Sequence, residues 1–219
     1  YILDYEVFSE PFIPGLTTVF THDIFNDNSI VATYNFDGNL NDLGETYNMN
    51  ETGVFSDQKT TNGNQSVDLV SSGELFTGIT LSGSFSVSFF YYVDAEPTAE
   101  TNPLAQYASV TNGRFLLRHL SSGINILNGD SIRTNDVSFT IGVFNFMVLI
   151  KDGDIMYLKN ITTNDEISGS SAQMDTSATF SIGRNSQNYS GSAYIDQLRI
   201  FNRVLTQEEL GSLYQEGQG

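Results

Sequence analysis

The chain reads as an all-β protein, a jelly-roll sandwich of two antiparallel sheets closed by one short C-terminal helix. Three features predict this. Short apolar runs recur along the chain, separated by turns rich in Gly, Asn, Asp and Ser. Residues 85–93 alternate without a break: Phe85, Val87, Phe89, Tyr91 and Val93 share one face, and Ser86, Ser88, Phe90 and Tyr92 the other. Apolar residues at helical spacing are confined to the C-terminal segment.

Residues 1–28 differ in texture from the rest. Residues 1–8 are apolar and acidic, Pro11 and Pro14-Gly15 interrupt them, and 16–25 has the pattern of an edge strand or an extended arm. We read 1–28 as an arm to an upstream region or assembly partner, through which the protein is expected to oligomerise. Residues 29–219 then form the folded domain.

Within that domain, 30–36 is the first strand, and 66–70 follows a polar Gly/Asn loop. The strand 85–93 leads into an expected long loop at 95–103. Strands 115–120 and 124–127 are joined by Ser121-Ser122-Gly123, Asn128-Gly129 marks a tight hairpin, and 137–141 is another short strand. Strands 144–150 and 155–161 meet across Lys151-Asp152-Gly153-Asp154, since Asp-Gly is a strong hairpin signal. Strands 180–182 and 194–201 complete a set of about ten, at the spacing of a sandwich or jelly roll.

Strand 194–201 places Tyr194, Asp196, Leu198 and Ile200 on one face and Ile195, Gln197, Arg199 and Phe201 on the other. If the first face is inward, the Asp196 carboxylate needs donors or a cation. After it, Thr206-x-x-Glu209 is a capping box, with Leu205 and Leu210 at the spacing of a hydrophobic staple. Leu213 and Tyr214 continue the apolar stripe, and Gly217 is the expected stop. Glu208 and Glu209 suit the helix dipole, so they are read as structural rather than catalytic.

Composition excludes several functions. Nine Lys plus Arg against 26 Asp plus Glu gives −17, so nucleic acid is not an expected partner, because phosphate binding needs clustered cations. The acidity has two readings, divalent cation binding and plain solubility, and the second accounts for most of these residues. With 39% hydrophobic and 16% charged residues the chain can pack a core. It has no cysteine, so the redox compartment is not legible. No apolar run reaches the ~18 residues of a membrane span, and no signal peptide is visible. Beginning at Tyr1 rather than Met, the chain is expected to be a processed product or part of a longer polypeptide.

Five segments, in order, carry a resemblance. They are Ala32-Thr33-Tyr34-Asn35-Phe36-Asp37-Gly38-Asn39-Leu40-Asn41-Asp42, Ser66-Val67-Asp68-Leu69, the strand 85–92, the hairpin 146–160, and Ser181-Ile182-Gly183-Arg184 followed by the run from Tyr194 to Arg203. Over residues 30–217 the chain resembles laminin G-like domains of the concanavalin A-like lectin/glucanase superfamily. Where that family usually has Trp on the central strand, Phe90 or Tyr91 stands here.

The resemblance implies two curved antiparallel sheets and often one structural calcium, for which Asp37 and Asp196 are the candidate ligands and Asp42 a weaker one. Calcium takes six to eight oxygens, so carbonyls near Gly38 and the Asn39 or Asn41 amides would complete the shell. The alternative is that Asp37 and Asp42 only shape an Asp/Asn/Gly loop. His22-Asp23-Ile24-Phe25, leading into the first strand, also resembles laminin G-like domains in structural proteins of tailed bacteriophages, particularly marine ones. That implies a virion-surface or other extracellular setting: tail fibre, tail tip or head decoration. The partners would be host glycan or other virion proteins.

Catalytic signatures are missing. Glycosidases on this fold need two carboxylates flanking the sugar bond, and the Glu-x-Asp-x-x-Glu of related β-glucanases has no counterpart. His22 lies in the arm and His119 stands alone on a strand, so no nucleophilic triad is suggested. A non-catalytic lectin-like module and a purely structural decoration domain are therefore the two expectations, with a bacterial adhesin fragment as a third. For sugar binding, aromatic rings in polar loops with amides beside them are needed. Tyr47, Tyr107, Tyr189 and Asn188 are the candidates, though Tyr is also ordinary on sandwich surfaces. Asn50, Asn64, Asn160 and Asn188 each sit in an Asn-x-Ser/Thr sequence, relevant only in a secreted eukaryotic protein.

Overall fold

A computed structural model describes residues 22–61, 65–106, 115–128, 131–132, 136–170, 174 and 177–218. Its first sheet runs in space through β12 (Asp165–Ser170), β11 (Ile155–Asn160), β10 (Asn145–Asp152), β5 (Phe85–Val93), β14 (Ala193–Phe201), β3 (Ser66–Asp68) and β2 (Phe55–Ser56). An eighth strand, β1 (Ile30–Tyr34), also pairs with β14. The second sheet runs through β4 (Leu75–Phe76), β13 (Phe180–Arg184), β6 (Thr101–Gln106), β7 (Phe115–Leu120), β8 (Gly123–Asn128) and β9 (Ser131–Ile132). Every pairing is antiparallel, as a sandwich closed by hairpins requires.

The alternation of residues 85–93 works out as expected. Val87, Phe89, Tyr91 and Val93 enter the core between the sheets, while Phe90 turns outward into a second apolar layer. That layer is covered by α2 (Gln207–Gln218) through Leu210 and Leu213. The capping box forms reciprocally: the Thr206 amide donates to Glu209 Oε2 at 2.8 Å and the Glu209 amide to Thr206 Oγ1 at 3.3 Å. Arg203 ties Glu209 to Asp27, which binds the segment 22–28 to the domain. Phe25 packs on Phe201 with ring centroids 5.7 Å apart, so this part of the expected arm lies on the outer layer. Residues 1–21 fall outside the described residues.

The structure corrects several local expectations. Residues 95–103 are not all loop, because β6 starts at Thr101. Pro103 is tolerated there because the register shifts between Thr101 and Leu104, where the ladder is already interrupted. Of the strand expected at 137–141, only Val137 pairs, in a bridge to Ile124. The sequence reading does not include β12, because this edge strand has a single apolar residue, Ile167, among Asp, Glu, Ser and Gly, too few to show alternation. The strand expected at 66–70 stops at Asp68, whose side chain accepts from Val70 N and Ser71 N and caps the short helix α1 (Leu69–Ser72). Gly217 does not end α2; it lies inside the helix, where a Cβ would run into the Phe90 ring.

The most consequential correction concerns β14. Its pairing with β5 shifts by one residue between Asp196 and Arg199, and Gln197 has φ +49°. This bulge breaks the period of two. Ala193 and Ile195 face the inter-sheet core before it, Leu198 and Ile200 after it. Asp196 therefore does not share a face with Leu198. It lies opposite Phe90, on the outer side, and is nonetheless fully buried. No helix among the described residues is long and apolar enough to cross a membrane.

Candidate functional site

Three places on the molecule answer to the residues singled out from the sequence. The first is the bulge. One edge of β14 pairs with β3 at Tyr194 and Ile195 and with β1 from Leu198 onward, so the sheet forks at Asp196. The carboxylate fills the fork. Its Oδ2 accepts from the Thr61 amide at 2.9 Å and the Thr61 hydroxyl at 2.8 Å, and its Oδ1 from the Gln197 amide at 2.9 Å. Burial pushes its pKa up to about 6 against the pull of these bonds, and the nearby charge of Asp37 pushes the same way. Asp37 follows β1 and accepts from Gln65 N and Asn35 Nδ2, both at 3.1 Å. The fold thus brings Asp37 and Asp196 together. No group of three or more His, Cys, Asp or Glu side chains that could hold a metal occurs among the described residues.

Asp42 does something else. Its two oxygens accept from the amides of Thr33, Gly44, Thr46 and Tyr47, at 2.9 to 3.3 Å. His22 Nδ1 lies 3.7 Å away. This is the loop-shaping role of an Asp in an Asn/Gly-rich turn. Its effect is to fix residue 47: the Tyr47 amide is held by Asp42, and its carbonyl accepts from the buried Tyr34 hydroxyl at 2.6 Å.

The second place is the cleft that Tyr47 borders, of about 190 Å³. Its inner wall comes from buried Ile79, Leu81, Phe85 and Ile200. Exposed Thr80, Ser82 and Asn202 stand beside the half-buried Tyr47. Of the residues lining it, none carries a carboxylate, imidazole or cationic side chain. Sequence reasoning found Tyr47 but not the cleft, because the loop 78–82 and the end of β14 meet there only in the fold.

The third place is where Tyr189 lies, and here the expected exposure fails. The 3₁₀ turn Ser186–Asn188 folds the loop back, and Tyr189 is only 7% exposed at one end of the core. Its hydroxyl is 2.6 Å from that of Tyr91, which is 2.9 Å from His119 Nδ1. His119 is wholly buried, and burial pushes its pKa down to about 4. Its Nε2 lies 3.4 Å from Glu96 Oε2. Asn188 staples the facing loop: its carbonyl accepts from the Thr98 amide and hydroxyl, and its side chain donates to Glu100 O at 2.8 Å. This buried His–Tyr–Tyr relay was missed; the one available signal was that His119 alternates with the inward Leu117 and Phe115 on a strand. Tyr107 lies outside the described residues, as does Asn64. Asn160 is fully buried and bonded to Ser138 O and Asn145 Oδ1, which removes it as a modification site.

Comparison with known proteins agrees with this architecture. A laminin G-like family model, described as the concanavalin A-like lectin/glucanases superfamily, matches residues 59–211. Among curated protein sequences none matches the chain. Among solved structures, domain 4 of AbnA, an extracellular GH43 arabinanase from Geobacillus stearothermophilus solved with arabinotriose, superposes with a TM-score of 0.67 at 19% identity. That match covers 84% of this chain and 98% of the other. The receptor-binding domain of a botulinum neurotoxin C/D mosaic serotype gives 0.64 at 15% identity, covering 85% of this chain and 51% of the other. A Trypanosoma rangeli sialidase mutant gives 0.64 at 14%, covering 87% of this chain and 34% of the other. This chain thus spans about half of the toxin domain and a third of the sialidase, and at these identities the likeness is one of fold. With the family model matched across more than half its length and both sheets in place, the chain belongs to the concanavalin A-like lectin/glucanases superfamily, as a laminin G-like domain.

Proposed function

We propose that this domain is a non-catalytic glycan-binding module displayed on a virion surface or another extracellular structure, with its N-terminal arm as the attachment. The observation that carries the reading is Tyr47, which borders a concave surface, packs its half-buried ring against the inter-sheet core, and has its backbone fixed by donating to Asp42 and accepting from Tyr34. A ring fixed in this way loses little freedom on binding. Hydroxyl and amide groups stand beside it, the mix a sugar needs. Uncharged walls favour binding over turnover, since glycoside hydrolysis needs two carboxylates at the bond. The arabinotriose complex of the AbnA domain supports the ligand class.

The test is a glycan array probed with the chain and with Tyr47→Ala. Loss of one stacking ring should weaken binding about three- to tenfold. Undiminished binding in the variant would move the site elsewhere. Silence across the array and cell surfaces, with particles destabilised by loss of the domain, would leave the structural decoration role. Tyr189→Ala is the wrong probe, because that ring belongs to the core.

Calcium belongs to the same proposal. Asp37 and Asp196 would hold the ion, which would offset the cost of burying the Asp196 charge. Saturating calcium at roughly 100 times its Kd contributes about 2.7 kcal/mol, so the melting midpoint of chelator-treated protein should rise by roughly 5–10 °C. Asp196→Asn should abolish the rise. An unchanged midpoint in the native chain removes the ion.

A further inference from the structure

Resting on the reading of the Tyr47 cleft as a glycan site, we infer that its ligand is one uncharged, methyl-bearing sugar residue at a chain end, with the methyl group directed inward. Four observations lead there. The space of about 190 Å³ falls below the ~300 Å³ at which pockets for drug-sized ligands begin, so it admits one ring rather than an internal stretch of chain. Its inner wall is hydrocarbon, formed by Ile79, Leu81, Phe85 and Ile200. A sugar hydroxyl pressed against that wall would lose its water without gaining a partner, whereas a methyl group gains by leaving water.

The rim offers the opposite chemistry. Thr80 Oγ1 donates to the Ala178 carbonyl at 3.1 Å, which leaves its lone pairs to accept from a sugar hydroxyl. Ser82 and the Asn202 amide flank it and can both donate and accept. Finally, charge selects. The lining has no cation to neutralise a carboxylate, and the chain carries a net −17, so anionic sugars meet repulsion with no compensating partner. Two common sources supply the required group, the C5 methyl of a 6-deoxyhexose and the acetamido methyl of an N-acetylhexosamine.

The experiment is an NMR titration of the ¹⁵N-labelled chain with four methyl glycosides: a 6-deoxyhexoside, an N-acetylhexosaminide, the parent hexoside and a hexuronide. The expected result is saturable shifts at the Leu81, Ser82 and Asn202 amides with one or both of the first two. Their affinity should exceed that of the parent hexoside about fourfold or more, the worth of one buried methyl group. The hexuronide should leave these amides unmoved. Which methyl glycoside binds more tightly decides between the two sources. Equal binding of the parent hexoside, or saturable binding of the hexuronide, overturns the inference. Array ligands that bind while shifting only amides outside the cleft overturn it and leave glycan binding intact. Silence of both the array and the titration overturns glycan binding itself.

Discussion

Glu216→Ala should destabilise the fold by about 3–5 kcal/mol, the range found when one partner of a buried ion pair is removed. Arg199 lies on β14 at 2% exposure, just past the bulge and facing outward beneath α2. Its Nη1 is 2.7 Å from Glu216 Oε2, and both side chains are almost wholly out of water. Taking away the carboxylate leaves a guanidinium that has already lost its hydration without its nearest counter-charge. Of a total stability of ~5–15 kcal/mol, that is a large share. The same change should loosen the C-terminal end of α2 first, because the start of the helix stays held by the Arg203–Glu209 ion pair and by Leu210 and Leu213. Urea unfolding followed by fluorescence and by far-ultraviolet dichroism measures both. The double change Arg199→Met with Glu216→Leu should recover most of the loss, since an apolar pair of similar volume removes the desolvation penalty altogether. A loss under ~1 kcal/mol in the single variant would show that the pair contributes little.

Acidification should expose two buried groups that work against each other. His119 has its pKa depressed from 6.5 to about 4 by burial, so the fold favours its neutral form. Its contribution is present above pH 6.5 and is lost as pH falls towards 4, by about 3 kcal/mol at 1.36 kcal/mol per unit. Asp196 runs the other way, raised from 3.8 to about 6 by burial. Its contribution is present below pH 3.8 and lost as pH rises through 6, again by about 3 kcal/mol. In chelated native protein the two largely cancel between pH 7 and 4. Asp196→Asn should unmask the histidine, so that stability falls by about 3 kcal/mol over that interval. His119→Gln should unmask the aspartate, and acidification should then help. Part of that gain is offset by Asp27, Asp165 and Glu209, whose pKa values are lowered by hydrogen bonds and whose contributions fade as pH falls. Identical pH profiles for the native chain and both variants would refute this account.

Both groups show how far the sequence could be read. The sequence shows His119 as a lone histidine on a strand, packed or surface-exposed, and the fold settles it as packed. That it meets Tyr91 and Tyr189 there depends on the β7 register and on a 3₁₀ turn, which join residues far apart in the chain. The sequence marks Asp196 as a carboxylate in need of partners but puts it on the wrong side of its strand. Period-two counting assumes an unbroken ladder, and one residue at positive φ reverses every assignment on one side of it.

Local order determined much of this protein. Strand alternation in 85–93, the hairpin at Gly153, the capping box at Thr206 and the family pattern were all legible, because each depends on neighbours within a few residues. The sandwich class followed from them. Tertiary structure alone decided which candidates share a site. Asp37 and Asp196 come near enough for their charges to interact because β14 forks between β1 and β3. Asp42 is used up by four amides, and in being so used it fixes the Tyr47 backbone at the edge of a cleft whose other walls come from Val31, residues 78–82, Phe85 and residues 200–202. Tyr189, one of the three candidate loop tyrosines, is drawn into the core by a turn of three residues. Burial depends on what packs from elsewhere in the chain, and a linear pattern records only what a residue's own neighbours require.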